Sequence, residues 1–245
     1  MKKFIAICAL IAGFSAGEAR AQETEISVDA GLDAVYAYIW RGGILGSDKD
    51  VALQPSITLG FGDSGLALNI WGSAFLKNRS SGKTLEGADE LDFTLSYDTT
   101  TGEDDKIGVS IGFIEYTFPN GASDQKHSEE VYGSLSLDHQ LAPSVTVYYD
   151  FGLVDDYYAT AGINPEFPMG EGDNAPVFSL GASIAISGDG YGGSAGFNDF
   201  TVSGSIGWTR ENWSFGPFGG YSYADDGINA DNSSFWGGVS LSYSK

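Results

Sequence analysis

Phe235-Trp236-Gly237-Gly238-Val239-Ser240-Leu241-Ser242-Tyr243 is the stretch that decides the fold. Phe235, Val239, Leu241 and Tyr243 fall on alternate positions, with Gly237 filling the gap. Trp236, Gly238, Ser240 and Ser242 fall between them. Strand side chains alternate between faces, so this is a strand with one apolar face and one mostly polar face. It runs almost to the C-terminus, where a soluble chain usually has a loose tail.

Eleven more segments share the period of two. They are Ile26 to Trp40, Val51 to Phe61, Leu66 to Leu76, Glu90 to Tyr97, Ile107 to Phe118, Glu130 to Leu137, Val145 to Val154, Tyr157 to Ile163, Val177 to Ile186, Phe200 to Trp208 and Trp213 to Tyr223. No helical periodicity competes after residue 21. Most segments have about 9–11 residues, the length a tilted strand needs to cross a bilayer. The pattern predicts an all-β protein, a closed antiparallel transmembrane β-barrel of about 12 strands in an up-and-down meander. Its first and last strands agree in phase, as closure requires.

The N-terminus reads as a secretory signal. Lys2 and Lys3 precede the apolar stretch Phe4 to Phe14, and Ala19-Arg20-Ala21 is a small-residue cleavage site. The expected domains are a signal peptide over 1–21 and an outer-membrane barrel over 22–245. The apolar stretch is too short to span a bilayer as a helix. Cys8 is the single cysteine and lies within it, so the mature chain has no disulfide or thiol chemistry. The whole chain carries a net charge of −21, and removal of residues 1–21 brings it to −23. Nucleic acid is excluded as a partner, because nothing here neutralises phosphates.

An even strand number leaves both termini on one side, the periplasmic one. Short inner turns and longer outer loops should then alternate. Gly62–Gly65 and Thr209–Asn212 fit as inner turns, while Arg41–Asp50, Lys77–Asp89, Pro119–Glu129, Ser187–Asp199 and Ala224–Ser233 fit as outer loops. Two connections depart from the rule: the short Asp155-Asp156 and the long Asn164–Pro176. The phase also slips between Phe113 and Tyr116, which predicts a β-bulge near Phe113-Ile114.

Aromatic residues collect at segment ends. Tyr36, Tyr38, Trp40, Tyr221 and Tyr223 would form an outer girdle. Tyr97, Trp208, Trp213 and Tyr243 would form an inner one, as expected of a barrel in lipid. A soluble sandwich would instead gather such rings in one core.

Gly238, Leu241 and Tyr243 in a Gly-x-x-Φ-x-Φ arrangement resemble the terminal strand read by the barrel assembly machinery. Tyr38-Ile39-Trp40-Arg41-Gly42 with Ala52-Leu53-Gln54-Pro55-Ser56 resembles the opening signature of the TorF-like family, also described as Gcw_chp. Asn69-Ile70-Trp71-Gly72, Tyr116-Thr117-Phe118-Pro119, Glu130-Val131-Tyr132, Pro143-Ser144 and Val147-Tyr148-Tyr149-Asp150 continue the resemblance. It is dense to about residue 163. The resemblance implies an outer-membrane barrel with a presumed channel role and no established substrate.

If the apolar set faces lipid, the other set lines the lumen: Asp29, Asp33, Gln54, Asn69, Asp92, Glu115, Glu130, Tyr132, Tyr148 and Asp150. Ser179, Gly181, Ser183, Thr201, Ser203, Ser205, Gly207, Ser214, Gly216 and Ser222 would form a small, hydroxylated opposite wall. A ring of carboxylates attracts cations. Arg41 has inward parity just beyond Trp40. It is either a constriction residue paired across the lumen with Glu130 or Asp92, or a structural ion pair that fixes the first loop.

The expected function is a porin-like channel for small cationic or neutral solutes. The alternatives are a non-conducting barrel acting as surface adhesin or scaffold, and a soluble β protein that imitates the pattern. Expected partners are outer-membrane lipid, lipopolysaccharide, the assembly machinery and small solutes. No cofactor is expected, and no catalytic residue or metal site. His127 and His139 lie in connections rather than beside a serine on a strand. Asp225, Asp226, Asn229, Asp231 and Asn232 read as a solvated loop, with a bridging divalent cation as the alternative.

Overall fold

Each alternating segment leaves its backbone N–H and C=O groups to be satisfied by neighbours. In lipid only a sheet closed on itself satisfies them all. The computed structural model describes residues 25–45, 50–76, 89–120, 126–172 and 174–245 and has that closure. The expected signal peptide and most of the second outer loop lie outside the described residues.

Twelve antiparallel strands form the barrel. They are β1 Ile26–Tyr36, β2 Val51–Phe61, β3 Leu66–Phe75, β4 Glu90–Thr101, β5 Ile107–Thr117 and β6 His127–Leu137. The second half comprises β7 Ser144–Asp150, β8 Asp156–Ile163, β9 Val177–Ser187, β10 Gly196–Arg210, β11 Trp213–Ala224 and β12 Ser233–Ser244. Each strand pairs with its chain neighbour, and β12 returns to β1 with Leu241 opposite Leu32 and Val239 opposite Ala34. No α-helix occurs among the described residues. The start of β1 and the end of β12 sit together at one end of the barrel, here the termini end; the other is the loop end.

The register assigns faces, because directly paired residues point the same way. Leu32, Ile57, Ile111, Val131, Val147, Ile184 and Val239 face outward and stay exposed, and Phe235 is 76% exposed. A water-soluble fold would bury such a set, whereas lipid is a suitable solvent for it. Tyr36, Tyr221 and Tyr223 stand on the outward face toward the loop end. Tyr97, Trp208, Trp213 and Tyr243 stand there toward the termini end. Rings pair across strands, Trp213 with Tyr243 at 5.0 Å and Tyr221 with Phe235 at 5.1 Å.

Three expectations are corrected. The first strand stops at Tyr36 rather than Trp40. Ala37 takes a left-handed conformation (φ 57°), and the chain turns away from the sheet. The predicted bulge near Phe113 is absent, since β5 keeps unbroken register with both neighbours. The phase slip has another cause: Tyr116 faces the lumen. Without a bulge, Glu115 has outward parity, opposite Phe93 and Glu129, so the structure removes it from the lumen-lining set.

The bulge lies elsewhere. Between Ala185 and Ile186 the partner residue jumps from Asp199 to Phe197, which leaves Asn198 without an opposite residue. Both irregular connections are explained. Residues 151–155 are a tight outer turn between β7 and β8. In the connection between β8 and β9 the segment Glu166–Pro168 adds briefly to β9 at the termini end.

Candidate functional site: a hairpin inside the lumen

The turn at Ala37 sends the first loop into the barrel. Tyr38–Trp40 and Gly43–Leu45 form a two-stranded hairpin with Arg41 and Gly42 at its tip. Both tip residues have positive φ, 49° and 80°. A side chain on Gly42 has no room: its Cβ would lie 2.7 Å from the Ala224 Cβ and 2.8 Å from the Asp199 Cβ. Glycine therefore permits both the turn and the close approach to the wall.

The hairpin's rings pack against inward wall residues. Tyr38 meets Trp71 at 5.7 Å and Phe75 at 6.4 Å, and Trp40 meets Tyr116 at 6.2 Å. Tyr38 and Trp40 are thus removed from the outer girdle expected of them. They are aromatic because they fill the lumen, and the sequence pattern alone does not separate this use from a lipid interface.

Arg41 is the centre of the site. Its Nη2 donates to Glu130 Oε1 at 2.8 Å, and the two side chains are only 7% and 0% exposed. Its Nη1 donates to the Tyr191 hydroxyl. The guanidinium lies over four rings: Trp40 at 4.5 Å, Tyr158 at 4.6 Å, Tyr148 at 4.7 Å and Tyr191 at 5.1 Å. Ring faces are negative, so the cage favours a cation. Burial works against the charge of Arg41, but the hydrogen bond and charge of Glu130 outweigh it and raise its pKa above the ordinary value. Burial also pushes the Tyr191 phenol up.

The bulge on β10 aims Asn198 at this site, a usual role for an irregularity of this kind. Asn198 is fully buried. Its Nδ2 donates to the Arg41 carbonyl at 2.9 Å and to Asp199 Oδ2 at 2.8 Å, and its Oδ1 accepts from Ser187 at 2.7 Å. Asp199 Oδ2 also accepts from the Tyr158 hydroxyl at 2.9 Å. The hairpin is thereby fixed on opposite walls, through Glu130 on β6 and Asn198 on β10. The outer connections cover it: the Gly43 Cβ position is 3.7 Å from the Ile228 carbonyl.

Glu130 is unevenly satisfied. Oε1 accepts from Arg41 and from the Tyr116 hydroxyl at 3.1 Å, while Oε2 is buried without a partner. Asp92 Oδ1 and Gln54 Nε2 are likewise buried and unpaired.

The other expected lining residues fall as follows. Asp29, Asp33, Gln54, Asn69, Asp92, Glu130, Tyr132, Tyr148 and Asp150 all have inward register. Asn69 donates to Thr58 at 2.8 Å. Tyr132 lies flat over Gly112, whose Cβ would be 2.4 Å from its ring. Asp150 is spent on the tight outer turn: it accepts from Ser128 at 2.7 Å and from the amides of Gly152 and Val154. On the far wall, Thr201 and Ser222 hydroxyls share a 2.8 Å hydrogen bond. Sequence reasoning missed Tyr158, Tyr191, Asn198 and Asp199. A signal for the last two was present. Phe197 and Phe200 are three apart, not two, with Asn198-Asp199 between them.

Toward the termini end, a cavity of about 510 Å³ opens below the hairpin. It is lined by Trp40, Arg41, Tyr148 and Tyr158 on one side and by Ser183, Thr201 and Ser203 on the other. A smaller cavity of about 290 Å³ touches Asp33, Gln54, Arg41 and Trp236.

The remaining candidates serve local structure. His127 pairs with Glu129 at 3.4 Å, and His139 Nδ1 accepts the Leu141 amide. In the acidic loop Asp225 accepts the Gly227 amide, Asn229 accepts the Asp231 amide, and Asn232 donates to Asp226. These oxygens shape turns.

Together these features define a bacterial outer-membrane β-barrel of the small porin-like class. The chain belongs to the Gcw_chp family, described as bacterial proteins of unknown function, whose model matches residues 18–236. Comparison with curated proteins finds no match. Among solved structures it is similar to the KdgM porin, at 12% identity and TM-score 0.53 over 89% of this chain and 99% of that one. KdgM in complex with disordered oligogalacturonate gives 14% and 0.52, over 89% and 99%. The NanC porin gives 11% and 0.49, over 89% and 98%. The Escherichia coli outer-membrane phospholipase A gives 12% and 0.49, over 95% and 96%. Identities this low speak to fold alone.

Proposed function

We propose that the protein is a narrow outer-membrane channel for small cationic or neutral solutes, with the luminal hairpin as its constriction. The sign of the lumen carries this reading. Arg41 is the one basic residue that the described strands and hairpin turn inward, and Glu130 matches its charge. Asp29, Asp33, Asp98 and Asp199 also have inward register. A low-dielectric tube of negative sign concentrates cations and repels anions. Oligogalacturonate, named with KdgM, is a polyanion, and that solute does not suit this lumen. The girdles would meet lipid and lipopolysaccharide, and β12 would be the strand presented to the assembly machinery.

Purified barrel in a planar bilayer under a potassium chloride gradient tests this. The reading expects small single-channel currents with a reversal potential on the cation side. Anion preference refutes it. The packing of the hairpin favours a second reading, a barrel closed at its loop end that acts through its outer surface. Absence of current from folded protein would select it.

A further inference from the structure

We propose that the cage around Arg41 is a binding site for small organic cations, of the guanidinium or alkylammonium class, which the chain's own arginine fills in this conformation. The proposal rests on the cation-preferring lumen and names the class of solute that lumen recognises. Three of the cage's groups belong to the barrel wall and not to the hairpin. Tyr148 and Tyr158 stand opposite each other on β7 and β8, and Glu130 stands on neighbouring β6. Two ring faces and a carboxylate converging on a volume already shown to hold a guanidinium are what cation recognition needs.

Glu130 Oε2 is the independent sign that the internal ligand is not the best one. Arg41 engages only Oε1, which Tyr116 also serves, while Oε2 is buried and unpaired. An unmet buried acceptor is destabilising. A free guanidinium, released from the hairpin's geometry, can set two parallel N–H groups on both oxygens. The site also has access: the cavity of about 510 Å³ leads to Arg41, Tyr148 and Tyr158 from the termini end. Arg41 is then a tethered competitor, and its tether raises its effective concentration above that of a dilute solute.

The test uses full barrel in detergent, its folding checked by heat-modifiable migration. Methylguanidinium is titrated against Arg41→Ala, with potassium chloride at matched ionic strength as control and intrinsic fluorescence as readout. Saturable binding about tenfold tighter than in wild type is expected once the tethered competitor is gone. Adding Tyr158→Leu should abolish it. Equal responses in wild type and variant, or no saturable response in folded Arg41→Ala, overturn the proposal. Should Arg41→Ala not fold, wild type decides by proteolysis. Methylguanidinium should displace Arg41 and speed tryptic cleavage after it, with cleavage after exposed Lys106 as the internal standard. Unchanged cleavage after Arg41 counts against the site. Neither readout needs current, so a barrel that binds but does not conduct retains this site and loses the channel reading.

Discussion

Arg41 and Glu130, 89 residues apart in sequence, meet at 2.8 Å inside the barrel. One lies on a hairpin that has left the sheet, and the other on the wall. The pair is buried, so removing one partner strands the other's charge, at a cost of about 3–5 kcal/mol. Arg41→Ala and Glu130→Gln should each lower the thermal unfolding midpoint in detergent. The double variant should lose less than the sum, because both remove the same interaction. Strictly additive losses would show that the two side chains act separately.

Gly42→Ala tests the seat of the hairpin. The new methyl would overlap the Ala224 and Asp199 side chains at a residue with φ 80°. Overpacking and a left-handed alanine together should cost about 1–3 kcal/mol. The hairpin should also become more open to trypsin after Arg41. A variant as stable and as resistant as wild type would place the tip away from the wall.

Asn198→Ala tests the bulge. It removes the donor to the Arg41 carbonyl and the acceptor for Ser187. A loss of about 1–3 kcal/mol is expected, since buried partners are left unpaired. Chemical denaturation in detergent measures it, and a neutral result would make the bulge unrelated to the hairpin.

Tryptophan quenching by brominated lipid tests the two faces. Single-tryptophan variants should show quenching at Trp208 and Trp213, which stand outward. Trp71 and Trp236 are lumen-facing, and Trp40 lies on the hairpin, so all three should be shielded. Strong quenching at Trp40 would return that ring to the outer girdle and dissolve the hairpin site.

The barrel was legible because its rule is local. An alternation such as that of Phe235 to Tyr243 fixes both the strand and its faces, and lipid demands closure. The same rule misplaced Tyr38 and Trp40. Parity continues formally through Ala37, but one left-handed residue ends the strand, and nothing in an alternation pattern marks that angle. Glu115 was misplaced for a related reason. By pattern Tyr116 reads as a lipid-facing ring, and that reading requires a bulge. Aromatic side chains serve equally as interface anchors and as lumen filling, and only a partner such as Trp40 separates the uses. Arg41 was readable as an inward charge needing a carboxylate, whereas its aromatic cage depends on Tyr158 and Tyr191, which only the closed barrel brings to it.

The most direct measurement records wild type and Arg41→Ala in the same planar bilayer under a potassium chloride gradient. The account predicts small cation-selective currents for wild type and larger ones, still cation-selective, for the variant whose hairpin has lost its hold. Anion selectivity in either protein, or identical conductance in both, would contradict a negative lumen constricted by that hairpin.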